Sequence, residues 1–277
     1  MKRTLPFPLT LIMLFHSLIA LAQADSISNV PFSIGETHTF RSQILAEKRI
    51  LNIVLPDKFD NQKAYPVIYL LDGSVNEDII HISGLVQFFH MMFQMPDFIV
   101  VGIANTDRKR DFTFPTSLKD LKEKYPTTGG SASFIAFLEK EVQPYINSTF
   151  KTTGIKYLVG QSLGGLLATE ILLKKSWLFS HYFIISPSLW WNNESLLDES
   201  KSLLQNQPDT GLYVYVAVGA EGKMMESVAE KLVKVLKKSG KKNLTVDFMP
   251  FPKENHATIL HNSIYEAFKI QFPYKEP

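Results

Sequence analysis

The chain has 277 residues, of which 45% are hydrophobic and 20% are charged. This length and composition can bury one large core and are usual for a single α/β domain. The absence of cysteine excludes disulfides, a thiolate nucleophile, a cysteine zinc site and a lipid-modified N-terminal cysteine. A formal net charge of only +2 gives no bulk electrostatic case for a nucleic-acid partner.

The first 24 residues have the three-part pattern of a secretory signal peptide. Lys2 and Arg3 precede an apolar run over residues 9–21, and a small-x-small triplet follows at 22–24. We expect cleavage after Ala24 and export of residues 25–277 to the periplasm or the exterior, without a stable membrane anchor. An uncleaved anchor is the alternative, but the run is shorter than the ~20 apolar residues that span a bilayer.

Strands and helices alternate along the remaining chain. Alternating patterns predict two antiparallel edge strands over residues 37–42 and 49–55. Apolar runs predict further strands over residues 65–71, 98–103, 156–160, 182–187, 212–218 and 244–248. Helices are predicted over residues 77–93, 131–150, from 163 onward, 195–204, 224–238 and 258–270. The fold class is therefore α/β, with a mostly parallel central sheet, right-handed crossovers and helices on both faces.

One motif stands out between a strand and a helix. The apolar run from Lys156 leads into Gly160-Gln161-Ser162-Leu163-Gly164, and a helix-forming stretch follows at once. A serine at such a sharp turn has a strained backbone and presents its Oγ at the edge of the sheet. Ser162 is therefore the candidate nucleophile, and the N–H of Leu163 is a candidate oxyanion donor at the helix N-terminus.

A serine nucleophile needs a base, and the base needs a group that orients it. His256, in the loop after the last predicted strand, is the strongest candidate for the base. Glu221, which follows the penultimate strand, is the candidate acid. Glu226, Asp247 and Glu254 are its rivals, and the sequence leaves this choice open.

The loop after the first buried parallel strand is expected to supply a second oxyanion donor. That loop is Asp72-Gly73-Ser74, so we expect the donor to be the N–H of Gly73 or Ser74, although a plain turn is the alternative.

Two further clusters are candidates for the substrate pocket. Trp190 and Trp191 lie in the loop after the strand at residues 182–187, where they either form an aromatic pocket wall or anchor the loop in the core. Arg110 belongs to the charged run 108–111 in the long loop 104–130, and long loops inside compact domains are usually functional. Its side chain either meets an anionic or phenolate group of the substrate or pairs with Asp111.

Five segments together resemble a known family. They are Tyr69-Leu70-Leu71-Asp72-Gly73, Val101-Gly102-Ile103 with Arg110-Asp111, the serine motif, Ile185-Ser186-Pro187-Ser188-Leu189-Trp190-Trp191 and Glu254-Asn255-His256. From about residue 35 onward the chain resembles the esterase D-like family of esterases. More narrowly, it is similar to the branch of siderophore esterases that cleave catecholate trilactones such as enterobactin.

The resemblance implies an α/β-hydrolase fold and ester hydrolysis, with Ser162 as nucleophile and His256 as base. Some siderophore esterases work with a serine–histidine dyad, so the resemblance leaves the role of Glu221 open. Relatives of the esterase D-like family also include carbohydrate acetyl and feruloyl esterases and acyltransferases.

The leading hypothesis is thus an exported serine carboxylesterase acting on a small siderophore-type or other aryl or acyl ester. It needs no metal and no organic cofactor. An acyltransferase, and a catalytically silent binding protein that uses the tryptophan pocket, are the other hypotheses. The sequence says nothing of the oligomeric state or of the natural ester.

Overall fold

The apolar runs form the strands of one twisted sheet. The computed structural model describes residues 29–92 and 94–274, so the predicted signal peptide lies outside the described residues. The fold below is that of the unit Ile34–Pro277. Its strands are β1 (Glu36–Arg41), β2 (Lys48–Val54), β3 (Tyr65–Leu70), β4 (Ile99–Ile103), β5 (Thr152–Gln161), β6 (His181–Ile185), β7 (Leu212–Gly219) and β8 (Leu244–Phe251).

The strand order within the described residues is β1-β2-β4-β3-β5-β6-β7-β8. The pairs β1–β2 and β2–β4 are antiparallel, and the other neighbouring pairs are parallel. The predicted mostly parallel sheet with an antiparallel edge is confirmed. Parallel strands end at the same edge of a sheet, so the loops after β3, β5, β6, β7 and β8 lie along one rim.

The helices fill the connections between the strands. They are α1 (Ile79–Met91), α2 (Arg108–Asp111), α3 (Lys119–Lys124), α4 (Ser131–Phe137), α5 (Gln143–Thr149), α6 (Leu163–Lys174), α7 (Trp191–Gln205), α8 (Lys223–Lys237) and α9 (Ile259–Gln271). A wide π-type turn, Leu138–Val142, joins α4 to α5, and a short 3₁₀ turn, Ser176–Leu178, follows α6.

Helices cover both faces of the sheet, which explains the continuous apolar runs. Along β3, Val67 and Tyr69 pack into one apolar cluster with the helices α4 to α8. Ile68 and Leu70, which point the other way, pack into a second cluster with α1 and α9. The prediction of helices on both faces is therefore confirmed.

Three predicted elements differ from the structure. The single helix over 131–150 is divided by the π-type turn, because Pro144 at the start of α5 has no N–H to donate to the preceding turn. The predicted loop 104–130 contains α2 and α3. Strand β8 continues past residue 248 to Phe251, and it includes Pro250 because it lies at the edge of the sheet.

None of the described helices combines the length and the apolar character that a bilayer crossing requires.

Candidate active site

Ser162 lies at a sharp turn between β5 and α6. Its φ of 59° and ψ of −119° are strained for a residue with a side chain. The turn is held because the Ser162 N–H donates to Ile185 O at 3.0 Å. A Cβ at Gly160 would lie 2.4 Å from the carbonyl oxygen of Gly164, so only glycine permits strand and helix to approach this closely. The predicted serine turn is thus present, with its hydroxyl on the rim of the sheet.

His256 and Glu221 form a hydrogen-bonded pair on the same rim. His256 Nδ1 contacts Glu221 Oε2, which leaves Nε2 as the second ring nitrogen, open to a substrate or nucleophile. The carboxylate is 3% exposed whereas the imidazole is 47% exposed, so the pair presents the histidine to the cavity. The amide of Gln161, the residue before the serine, donates to His256 O and ties the two loops together.

The Glu221 carboxylate is fixed by two more donors. Ser186 Oγ and the Gly219 N–H, at 3.1 Å, both donate to Oε1. Burial alone would raise the pKa of Glu221, but the hydrogen bonds from His256 and Ser186 outweigh it and the net pKa lies below its usual value. The group is therefore a carboxylate at neutral pH, oriented to hold a proton on His256 Nδ1.

The Ser162 hydroxyl has a neighbour that sequence reasoning missed. Ser188 Oγ lies 3.3 Å from Ser162 Oγ, and the Ser188 N–H donates to Ser162 O at 3.0 Å. Ser188 is buried, and it follows β6, the strand next to β5. Its position in the sequence, directly after the strand next to β5, is the feature that could have predicted its closeness to Ser162.

The predicted oxyanion donors differ in their availability. Leu163 begins α6, and an amide at the first position of a helix has no acceptor within the helix. The Gly73 N–H donates to Ile103 O at 3.0 Å, so it extends the β-sheet pairing and is not free for a substrate. The Ser74 N–H donates to Glu77 Oε2 at 3.1 Å.

Asp72 and Arg108 connect the loop after β3 to the serine turn. Arg108 Nε and Nη2 donate to the two Asp72 oxygens at 2.6 and 2.8 Å, and Nη2 also lies 3.2 Å from Gln161 O. Asp72 has a φ of 55°, so this ion pair supports a strained backbone next to the nucleophile. The arrangement holds the candidate oxyanion loop against the start of α6.

Two cavities meet at Ser162 and His256. The charged cavity, of about 350 Å³, is lined by Asp72, Glu77, Asp78, Arg108, Gln161, Ser162 and His256. The aromatic cavity, of about 560 Å³, is lined by Ser162, Ser188, Trp190, Ala220, Glu221, Met225, Asn255, His256 and Ala257. An ester bound at the serine thus has one charged side and one largely apolar side.

The two tryptophans have different positions. Trp190 is half-buried and lines the aromatic cavity, as predicted for a pocket wall. Trp191 is fully buried, and its Nε1 donates to Phe114 O at 3.0 Å, so it anchors the loop in the core instead of lining the pocket.

The interpretation of Arg110 as a substrate-pocket residue is wrong. Its guanidinium donates to both oxygens of Glu47 and to Asp111 Oδ1, at 2.6 to 3.0 Å, and it lines neither cavity. The alternative of an internal Arg110–Asp111 pair is what the structure shows. Arg108, two residues earlier, is the basic side chain that lines the charged cavity.

The rivals of Glu221 are engaged elsewhere. Glu226 Oε1 accepts from the Gly222 N–H at 3.1 Å, and Asp247 Oδ2 accepts from the Tyr213 hydroxyl at 2.7 Å. Glu254 Oε1 accepts from Asn262 Nδ2 at 2.7 Å. Among these candidates Glu221 is the one bonded to His256.

Within residues 29–92 and 94–274, no group of three or more His, Cys, Asp or Glu side chains is placed to hold a metal ion.

The fold is similar to that of known hydrolases. An IroE-like serine hydrolase from Shewanella oneidensis has 31% identity, with 86% of this chain and 80% of that one covered and a TM-score of 0.78. The BES protein from Bacillus cereus has 28% identity, with 88% and 97% covered and a TM-score of 0.77. The ferri-bacillibactin esterase BesA of Bacillus subtilis is 28% identical over 239 residues, which cover 74% of this chain and 78% of that protein.

The class is thus an α/β-hydrolase, as predicted. The family profile described as "Putative esterase" matches residues 42–264, and the chain belongs to that family. It is an enzyme of the serine hydrolase class that acts on ester bonds.

Proposed function

We propose that the protein is a carboxylic-ester hydrolase with Ser162 as nucleophile, His256 as general base and Glu221 as the orienting acid. The observation that supports this most is the shared position of Ser162 and His256 at the junction of two cavities. Because Glu221 occupies Nδ1, the basic Nε2 is left for the serine proton.

In the proposed reaction the Ser162 hydroxyl turns from Ser188 toward His256 Nε2 as it attacks the ester carbonyl. Catalytic hydrogen bonds of this kind commonly tighten only once substrate is bound. The Leu163 N–H stabilises the oxyanion, His256 returns its proton to the leaving alcohol, and a water activated by the same imidazole hydrolyses the acyl-enzyme.

For the substrate we propose a small ester of the siderophore or aryl-acyl type. The named activity of BesA, a ferri-bacillibactin esterase, supports the siderophore class. Trp190 in the aromatic cavity supports an aromatic group next to the reacting carbonyl. Carbohydrate acetyl and feruloyl esters, and transfer of the acyl group to an alcohol, are the alternatives that a substrate panel distinguishes.

The test is hydrolysis of p-nitrophenyl acetate and butyrate by wild type, Ser162→Ala and His256→Ala, with Ser202→Ala as the matched exposed-serine control. We expect wild type and control to be equal and each active-site variant to lose at least ~10³-fold in kcat. Loss of less than tenfold in Ser162→Ala would refute the mechanism. Binding of siderophores without turnover by wild type would instead favour a silent binding protein.

We further propose export after cleavage of residues 1–24. The basic start, apolar run and small-x-small triplet support this. Mass spectrometry of the protein from a periplasmic or culture fraction should give an N-terminus at Asp25. Recovery of the intact chain from the membrane fraction alone would contradict cleavage and favour an anchor.

A further inference from the structure

The loop after β3 lies directly beside the helix that starts at the nucleophile. Asp72 Oδ2 is 3.4 Å from the position that a Cβ on Gly164 would take. Of the two amides expected as a second oxyanion donor, the Gly73 N–H is already paired with Ile103 in the sheet. Breaking that bond would disrupt the β3–β4 pairing. Of the two expected amides, the Ser74 N–H is therefore the one that can become available to a substrate.

The Ser74 N–H is occupied by a side chain of the charged cavity. Glu77 Oε2 accepts it at 3.1 Å, and Glu77 Oε1 accepts from Asn105 Nδ2 at 2.9 Å. The Glu77 N–H in turn donates to Ser74 O at 2.9 Å, which closes a tight turn before α1. Burial alone would raise the pKa of Glu77, but hydrogen bonds from Ser74 and Asn105 lower it overall, so the group is a carboxylate at neutral pH.

This contact resembles a capping box, in which Glu reaches back to the N–H of a Ser three residues earlier. Its location makes it different from an ordinary helix cap. Glu77 lines the same cavity as Ser162 and His256, and α1 begins only at Ile79. A carboxylate on an oxyanion donor removes that donor and places a like charge beside the developing oxyanion.

We propose that Glu77 is a gate on the oxyanion hole: it covers the Ser74 N–H in the free enzyme and releases it when a substrate carbonyl enters. This inference rests on the proposed function, because it assumes acyl transfer at Ser162. The bond from Glu77 Oε1 to Asn105 gives the carboxylate a place to remain after Oε2 leaves Ser74. Opening requires a side-chain rotation and leaves the sheet unchanged.

The gate opposes turnover of simple esters, which have few contacts to displace it. A substrate that also fills the charged cavity displaces Glu77 by its own binding. Glu77 is therefore a specificity-determining residue that disfavours small esters relative to those that fill the cavity.

The experiment compares Glu77→Ala, Glu77→Gln and wild type with p-nitrophenyl acetate, and it measures inhibition by phenylboronic acid, which forms a tetrahedral anion on a serine. Glu226→Ala is the matched control, because Glu226 makes the same kind of contact to a backbone N–H at 3.1 Å but lines neither cavity. We expect Glu77→Ala to raise kcat about three- to tenfold at unchanged KM, and to tighten boronate inhibition by the same factor. Glu77→Gln should lie between wild type and Glu77→Ala, and the control should equal wild type.

An unchanged or lower kcat in Glu77→Ala would overturn the gate. A lower kcat that Glu77→Gln restores would assign Glu77 to turn formation instead, and a melting temperature for each variant accompanies the kinetics. Failure of the proposed function gives a different result, since Ser162→Ala would then retain activity and boronate would not inhibit.

Discussion

Replacing Glu221 by glutamine keeps the shape of the side chain but places a hydrogen-bond donor, instead of an acceptor, at His256 Nδ1. The Oε1 position accepts from Ser186 Oγ and from the Gly219 N–H, and the backbone donor cannot reverse its role. The glutamine carbonyl therefore faces Gly219, and its NH₂ group faces His256 Nδ1. An NH₂ donor at Nδ1 forces the imidazole proton onto Nε2.

That tautomer cannot accept the Ser162 proton, so the loss falls on kcat. The equivalent Asp→Asn change in a serine-protease triad costs about 10⁴ in kcat, and we expect ~10³ to 10⁴ here. In a dyad, where the histidine acts without help from the carboxylate, the loss would stay below about tenfold.

The assay is kcat and KM for p-nitrophenyl butyrate, with Glu254→Gln as control. Glu254 lies in the histidine loop but contacts Asn262 and not His256. We expect full activity in the control and an unchanged KM in Glu221→Gln. A Glu221→Gln variant that is folded and keeps more than a tenth of wild-type kcat would refute the triad.

Three further predictions concern the surroundings of the site. Burial and the nearby charges of two carboxylates raise the pKa of Asp78 to about 6 from 3.8. The folded state therefore holds a proton that the unfolded state loses between about pH 4 and 6, and the free energy of unfolding falls as pH rises through that window. Asp78→Asn should be more stable than wild type in urea at pH 8 and equal to it at pH 3.5. Asp111→Ala removes the 2.7 Å partner of the buried Arg49 guanidinium, which keeps Glu47 at 2.9 Å. Urea unfolding should therefore show a loss of ~1–3 kcal/mol at unchanged KM, and an unchanged free energy of unfolding would contradict the role of this pair. Trp190→Ala should raise KM for aryl esters with little change in the free energy of unfolding. Trp191→Ala, at a fully buried position, should lower the free energy of unfolding by ~3–5 kcal/mol. Equal effects of the two variants on KM and on stability would show that the assignment of Trp190 to the pocket and Trp191 to the core is wrong.

The serine turn could be predicted because its determinants are local. Gly160, Ser162 and the change from apolar run to helix lie within a few residues of one another. The Glu221–His256 contact spans 35 residues. Because the loops after parallel strands converge on one rim, Glu221 is a candidate partner, but this argument does not choose it over its rivals.

The charged run 108–111 shows where sequence reasoning failed. It folds into the short helix α2, in which residues two apart point to nearly opposite sides. Arg108 therefore faces the cavity and Asp72, while Arg110 faces Glu47. The sequence reveals the cluster of charge, but the choice of arginine depends on where the helix begins, which a four-residue element does not disclose.

For a related reason the sequence could not choose between the two amides of the loop after β3. Gly73 and Ser74 are adjacent, and which amide the sheet consumes depends on the register between β3 and β4. The Glu77 contact adds a side chain whose direction follows from the turn. Neither the register between β3 and β4 nor the direction of the Glu77 side chain can be predicted from the residue types alone.

In the proposed reaction Ser162 is the nucleophile and His256 activates it. The most direct test is labelling with a fluorophosphonate, followed by peptide mass spectrometry. We expect one phosphonyl group per chain, on the peptide containing Ser162, with no label in Ser162→Ala and labelling slowed at least ~10²-fold in His256→Ala. Label on another serine such as Ser188, or undiminished labelling of Ser162→Ala, would contradict it.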